Sequence, residues 1–137
     1  MFNPSKKMVV DCYANADFAG LWVHEDPQYP IFARCRNAFA VTFSYCLILW
    51  MSKLQEYIAL STLHSEYVAL SHSVRALLSL QIIIKEVIYN LVIDSEKLKF
   101  LSRSTIYEDN NVAIVVATSP RMTPTSKHIS FKYHWFR

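Results

Sequence analysis

The groups in this chain that could do chemistry are a few acids and one amide, set at the ends of sequence-predicted elements. Asn15 and Asp17 close a first β-prone run, Glu66 falls in the first turn of a long helical pattern, and Asp109 stands where a short strand hands over to a second helix. Carboxylates carried by different elements to a common strand end hold hard cations such as Mg²⁺ through oxygen. Two such ions can stabilise the attacking and the leaving oxygen of a phosphodiester. Spacing alone favours a plainer reading, in which scattered acids are solvated surface charges or helix-terminus charges.

These acids need a scaffold. Residues 8–13 form a β-prone run that passes into the small, acidic Ala14-Asn15-Ala16-Asp17. Residues 20–37, with Pro27 and Pro30, read as a long connection. Residues 39–45 and 47–51 are two further strands in a meander, the second extended by residues 58–60. Ser61 and Thr62 are N-cap candidates for a helix running to about residues 87–90. Leu63, Tyr67, Leu70, Val74 and Leu77 recur at the helical period and predict its buried face. Residues 104–107 predict a short strand, and Asp109-Asn110-Asn111 caps a second helix over about 111–117, ended by Pro120 and Pro124. The order β-β-β-α-β-α implies an α/β fold whose sheet is antiparallel in its first half.

Composition narrows the class. The chain has 137 residues, 53% hydrophobic and 18% charged, a length and balance that fit one packed domain and exclude disorder. There is one glycine, where average usage would give roughly ten. The net charge of +3 permits a polyanionic partner without requiring one. Cys12, Cys35 and Cys46 form no CxxC pair and read as free thiols of a reducing compartment, cytoplasmic or nuclear. Residues 1–7 lack the apolar core of a signal peptide. The apolar stretch 38–50 is too short to span a bilayer, and 77–93 is broken by Lys85 and Glu86, so no membrane partner is expected.

Several short motifs follow one another in order. They are Ala16-Asp17-Phe18-Ala19-Gly20, Trp50-Met51-Ser52-Lys53-Leu54-Gln55, Ile58-Ala59-Leu60-Ser61-Thr62, Glu66-Tyr67-Val68-Ala69-Leu70-Ser71 and Glu108-Asp109-Asn110-Asn111. Thr125-Ser126-Lys127-His128-Ile129 and Tyr133-His134-Trp135-Phe136-Arg137 complete the series. This series resembles the ribonuclease H domain of copia-type retrotransposon Pol polyproteins over roughly residues 8–137. The resemblance implies a ribonuclease H-like mixed sheet flanked by helices. It also implies hydrolysis of RNA in RNA–DNA hybrids, with two Mg²⁺ or Mn²⁺ ions on four acidic residues. Asn15 stands at the first Asp of the family pattern Asp-Ala-Asp-(Trp/Phe)-Ala-Gly, and Asp17 keeps the second. Glu66 matches the helix Glu of Glu-Ala-Glu-Tyr, and Asp109 the Asp of Asp-Asn. The family's fourth Asp lies in an Ala-Asp segment beyond a last strand, past the position of Arg137. The expectation is therefore one partial, degenerate domain over residues 1–137 that lacks the last strand.

These departures have chemical consequences. The catalytic positions are Asn15, Glu66 and Asp109, of which only Glu66 and Asp109 are expected to ligate metal. An amide is neutral and offers one carbonyl oxygen, so it cannot bridge two dications as a carboxylate does. Two carboxylates against two dications leave at most one weakly held ion. Asp17 shares a strand face with Asn15 but sits roughly 6–7 Å further along, so rescue from there is disfavoured. The family has Glu where this chain has His64; the loss of a capping box there is expected to cost a few tenths to about 1 kcal/mol. In the tail, His128, His134, Lys127, Lys132 and Arg137 could meet phosphates, and Phe131, Tyr133 or Trp135 could stack on bases. Packing of those aromatics on the sheet is the favoured reading, and Trp50 is read as core. Ala38 before Phe39, and Ser44-Tyr45-Cys46, occupy turn positions where the family tends to use glycine.

The reading is thus an inactive remnant of a Pol ribonuclease H domain. A non-catalytic nucleic-acid-binding module, or a fragment with no selected role that associates through an exposed sheet edge, are the alternatives.

Overall fold

The computed structural model describes residues 9–20, 29–90, 104–119, 129 and 131–136. Strand β1 is Val10–Asp17, β2 is Arg36–Phe43 and β3 is Cys46–Leu54. Helix α1 is Thr62–Asn90, β4 is Ser104–Tyr107 and α2 is Asn111–Thr118. Single 3₁₀ turns occupy Pro30–Ala33 and Phe131–Tyr133. The sheet order is β3-β2-β1-β4, with β1–β2 and β2–β3 antiparallel and β4 parallel to β1. Among the described residues this is an α/β arrangement with a mixed four-stranded sheet and two helices, compatible with a ribonuclease H-like fold. Among the described residues no fifth strand joins β4.

The sheet's inner face follows from the strand period of two. Val10, Cys12, Ala14 and Ala16 point inward and are buried, while Tyr13, Asn15 and Asp17 point outward and are exposed. Val10, Cys12, Phe39 and Val41 meet Leu77 of α1 in one core cluster. Tyr67 and Val68 of α1 meet Val116 of α2, Ile129 and Tyr133 in a second. Residues Thr62–Val87 are apolar and long enough to cross a membrane by length and composition, with mean hydropathy 1.4. Here the apolar face of that helix covers the sheet, as its buried Tyr67, Leu70 and Leu77 show.

Three expectations are corrected. Residues 58–60 do not extend β3, which ends at Leu54; the backbone N–H of Gln55 then bonds Cys35 O at 2.8 Å. Trp50 is not core but 71% exposed. The run around it is apolar on both sides, which mimics a strand buried on both faces, yet α1 covers only the face carrying Leu49 and Met51. His64 partly makes up for the missing capping box. Ser61 Oγ accepts from His64 N (3.1 Å), and His64 Nδ1 accepts from Leu60 N (3.3 Å). A neutral imidazole therefore completes a reciprocal cap one residue upstream of the place a capping-box Glu would serve.

The scarcity of glycine is visible in the backbone. Phe43 pairs with Cys46, so Ser44 and Tyr45 form a two-residue hairpin turn, and both have positive φ (47° and 67°). Such a turn favours Asn-Gly, because side chains crowd the backbone at positive φ. Replacing Tyr45 with Gly is expected to stabilise the protein by about 1 kcal/mol, net of the entropy glycine adds to the unfolded chain. A thermal melt would show this as a midpoint a few degrees higher; an unchanged or lower midpoint would mean that the turn carries no such strain.

Candidate functional site

The site begins with a mismatch of strand lengths. β4 pairs with Val10 to Tyr13, so among the described residues the last four residues of β1 have no strand on that side. The backbone N–H of Ala16 in that gap needs an acceptor. Glu66 of α1 supplies it, with Oε2 2.6 Å from Ala16 N. Glu66 lies in the second helical turn rather than the first, whose residues include no acid. Its position is fixed by Gln55, whose side-chain Nε2 donates to the carbonyl of Ser65 (3.0 Å) and to Asn37 Oδ1 of β2.

Only 5% of Glu66 is exposed. Burial raises its carboxyl from the ordinary 4.5 to about 7; the Ala16 N–H opposes that rise and the charge of Asp109 adds to it. Asp109 is exposed and follows β4 by two residues, just ahead of the α2 N-cap. That cap, Asn110, accepts from Val112 N (3.0 Å) and Ala113 N (3.1 Å). Asn15 lines an open depression of about 630 Å³ that Asp109 also lines, together with Tyr13, Trp50 and Tyr107. The rings of Tyr13 and Tyr107 stack there with centroids 4.8 Å apart.

A third carboxylate was missed. Glu108 joins Glu66 and Asp109 in a group whose ligand atoms all lie within 4.8 Å of one another. Its Oε1 accepts from Asn110 N at 3.2 Å, while its Oε2 is buried with no hydrogen-bond partner. Burial raises this carboxyl to about 7; the Asn110 N–H opposes the rise, and the charges of Glu66 and Asp109 and a side-chain hydrogen bond with Asp109 add to it. Adjacency to Asp109 was the available signal. Both acids follow the end of β4 at Tyr107, where strand alternation no longer sets which way they face. Asp17 sits at the far end of β1, opposite Arg36, outside this group.

The other candidates lie elsewhere. His134 is buried, with Nδ1 3.0 Å from the Tyr67 hydroxyl. Tyr133 is buried, and Trp135 donates from Nε1 to Ser71 Oγ of α1 (3.0 Å). Lys132 lies 3.6 Å from Glu56 and over the rings of Tyr57 and Tyr133. His134 and Trp135 thus bond to α1, Lys132 meets the segment after β3, and Lys127, His128 and Arg137 lie outside the described residues. Cys12, Cys35 and Cys46 are free thiols.

The chain is similar to a retrovirus-related Pol polyprotein from transposon TNT 1-94 of Nicotiana tabacum, with 29% identity over 101 residues. The match covers 74% of this chain and 7% of that polyprotein, so the chain corresponds to a small part of its relative's length. This similarity supports a sequence derived from a retrotransposon Pol polyprotein. No protein-family profile matches the chain. No solved structure matches it.

The raised carboxyls predict a pH dependence. Between the unfolded value near 4.5 and the folded value near 7, the folded chain binds protons at Glu66 and Glu108 more tightly than the unfolded chain. Stability from these groups therefore falls as pH rises through that window. With a chelator present, the thermal midpoint is expected to be lower at about pH 8 than at about pH 5, and Glu108→Gln to reduce the difference. A midpoint that rises over this range, equally in parent and variant, would contradict the arrangement.

Proposed function

We propose that this chain is a ribonuclease H piece of a retrotransposon Pol polyprotein that no longer hydrolyses RNA in RNA–DNA hybrids. The observation that carries the reading is the bond from Ala16 N to Glu66, which sets a buried helix carboxylate at the end of β1, beside Asp109. Oxygen-only donors of this kind suit Mg²⁺ or Mn²⁺. When bound, such ions supply Lewis acidity and a water of lowered pKa to phosphodiester hydrolysis. Glu66 and Asp109 would hold a metal. Asn15 stands where the family has the carboxylate that joins two ions, and its single amide oxygen carries no charge to offset them. Hydrolysis that depends on a pair of ions is lost with that bridge.

Incubation of RNA–DNA hybrid with the purified chain in Mg²⁺ or Mn²⁺ tests this. No metal-dependent cleavage is expected. Cleavage that Glu66→Gln abolishes would overturn the loss of activity.

A second reading, retention of nucleic acid without chemistry, has one observation in its favour. Tyr13, Tyr107 and Trp50 form an exposed aromatic surface beside the acids, of the kind on which bases stack. Salt-sensitive binding of hybrid that persists in Glu66→Gln and Asp109→Asn would support it. Absence of binding at low salt would reject it, and would leave an element fragment without a nucleic-acid partner.

A further inference from the structure

We propose that the open depression on the outer sheet face is a slot for one unpaired base of a single strand, held flat between Trp50 and Tyr13 and met at its edge by Asn15 and Ser52. The proposal rests on the second reading above, retention of nucleic acid without chemistry. It deepens that reading by naming the form of nucleic acid and the side chains that take it.

The strand register builds the slot. Trp50, Ala40, Tyr13 and Tyr107 are neighbours in one row across β3, β2, β1 and β4. Adjacent strands lie about 4.8 Å apart, so Trp50 and Tyr13 rise from backbones roughly 10 Å apart. Strand side chains stand roughly perpendicular to the sheet, and between these two stands only the methyl group of Ala40. A ring touched on both faces at about 3.5–4 Å needs walls about 7–8 Å apart, so the gap admits one ring. Tyr107 stacks on Tyr13 from the β4 side, with centroids 4.8 Å apart and planes 13° from parallel. That contact braces the Tyr13 wall and leaves its other face turned toward Ala40. Trp50, Tyr13 and Tyr107 are all exposed. The depression of about 630 Å³ falls within the size range of small-ligand sites.

The next row supplies the edge contacts. Ser52, Ala38 and Asn15 are neighbours two residues along β3, β2 and β1, and all three line the same depression. They lie roughly 6–7 Å from the first row, within reach of the rim of a ring seated over Ala40. The amide of Asn15 offers a carbonyl acceptor and N–H donors side by side. An amide of this kind matches the paired donor and acceptor on the edge of adenine. The residue at position 15 that cannot bridge two ions is thus suited to reading a base.

The same geometry rejects a paired base. In a duplex each base is already stacked on both faces, and only an unpaired one can enter between two protein rings. Glu108 and Asp109 border the depression, so phosphates gain nothing there. Binding therefore draws on stacking and edge contacts, and its salt dependence is that of at most one phosphate.

The test is NMR titration of the whole 137-residue chain with single-stranded oligodeoxyadenylate, with adenosine, and with a blunt RNA–DNA hybrid of the same length. The strand is expected to shift the Trp50 indole N–H and the Asn15 side-chain amide, and the hybrid to leave both in place. Affinity for the strand is expected to fall no more than about threefold between 50 and 200 mM salt, where a contact with 6–10 phosphates would lose about 10³–10⁵. Loss of a base-stacking ring costs about 5- to 150-fold, so Trp50→Ala and Tyr13→Ala are each expected to weaken the strand at least about fivefold. Ala40→Leu fills the slot while keeping both walls, and is expected to do the same; the remote Tyr89→Ala is expected to change nothing. Hybrid binding that Trp50→Ala leaves intact, with no binding of the strand, would overturn the slot and leave the second reading standing. No binding of strand or hybrid at low salt would overturn both. Binding of adenosine without the strand would overturn the proposal in favour of a free nucleoside. A ligand-free dimer that Trp50→Ala or Ala40→Leu dissociates would overturn it in favour of a second copy on this face.

Discussion

The site depends on one hydrogen bond, the donation of Ala16 N to the carboxylate of Glu66. It exists because β4 is half the length of β1. Where β4 stops, β1 keeps a backbone donor that must be satisfied, and the helix crossing the sheet answers with a side chain rather than a strand. The consequence is electrostatic. Glu66 becomes a buried acid beside the turn that ends β4, and that turn brings two more acids. A structural requirement of the sheet edge and a cluster of negative charge are thus the same feature.

The rest of the fold serves that junction. Leu77 seats α1 on Val10, Cys12, Phe39 and Val41, and Tyr67 joins it to α2 and the tail. Gln55 links Asn37 of β2 to the carbonyl of Ser65, the residue before Glu66, and so ties the helix start to the sheet. The opposite sheet face is different in kind. Tyr13, Leu47, Trp50 and Tyr107 are exposed there, next to the acids. Among the described residues, the helix covers one face of the sheet and the other presents aromatic surface beside the acids.

Sequence made much of this legible because the relevant signals were local. The helical repeat from Leu63 to Leu77 reported the buried face of α1, and Ser61 and Asn110 reported the two caps. What it hid was non-local. Trp50 looked like core because a strand's composition does not say which face a helix will cover. The cap made by His64 escaped notice because an unprotonated ring nitrogen accepts as a carboxylate does. Glu108 carried no signal beyond its place next to Asp109, because the direction a side chain takes after β4 ends at Tyr107 is set by tertiary contacts. Ala19, Ser44 and Tyr45 fill positive-φ positions, where glycine would be the least strained residue.

The central claim is that the chain keeps the acids of a metal site without the bridge that two ions need. Anomalous diffraction from crystals soaked in Mn²⁺ addresses it most directly. One peak is expected, within ligand distance of both Glu66 and Asp109. Two peaks about 3.5–4 Å apart, sharing the Asn15 side chain, would contradict the claim, because that is the spacing of a working pair.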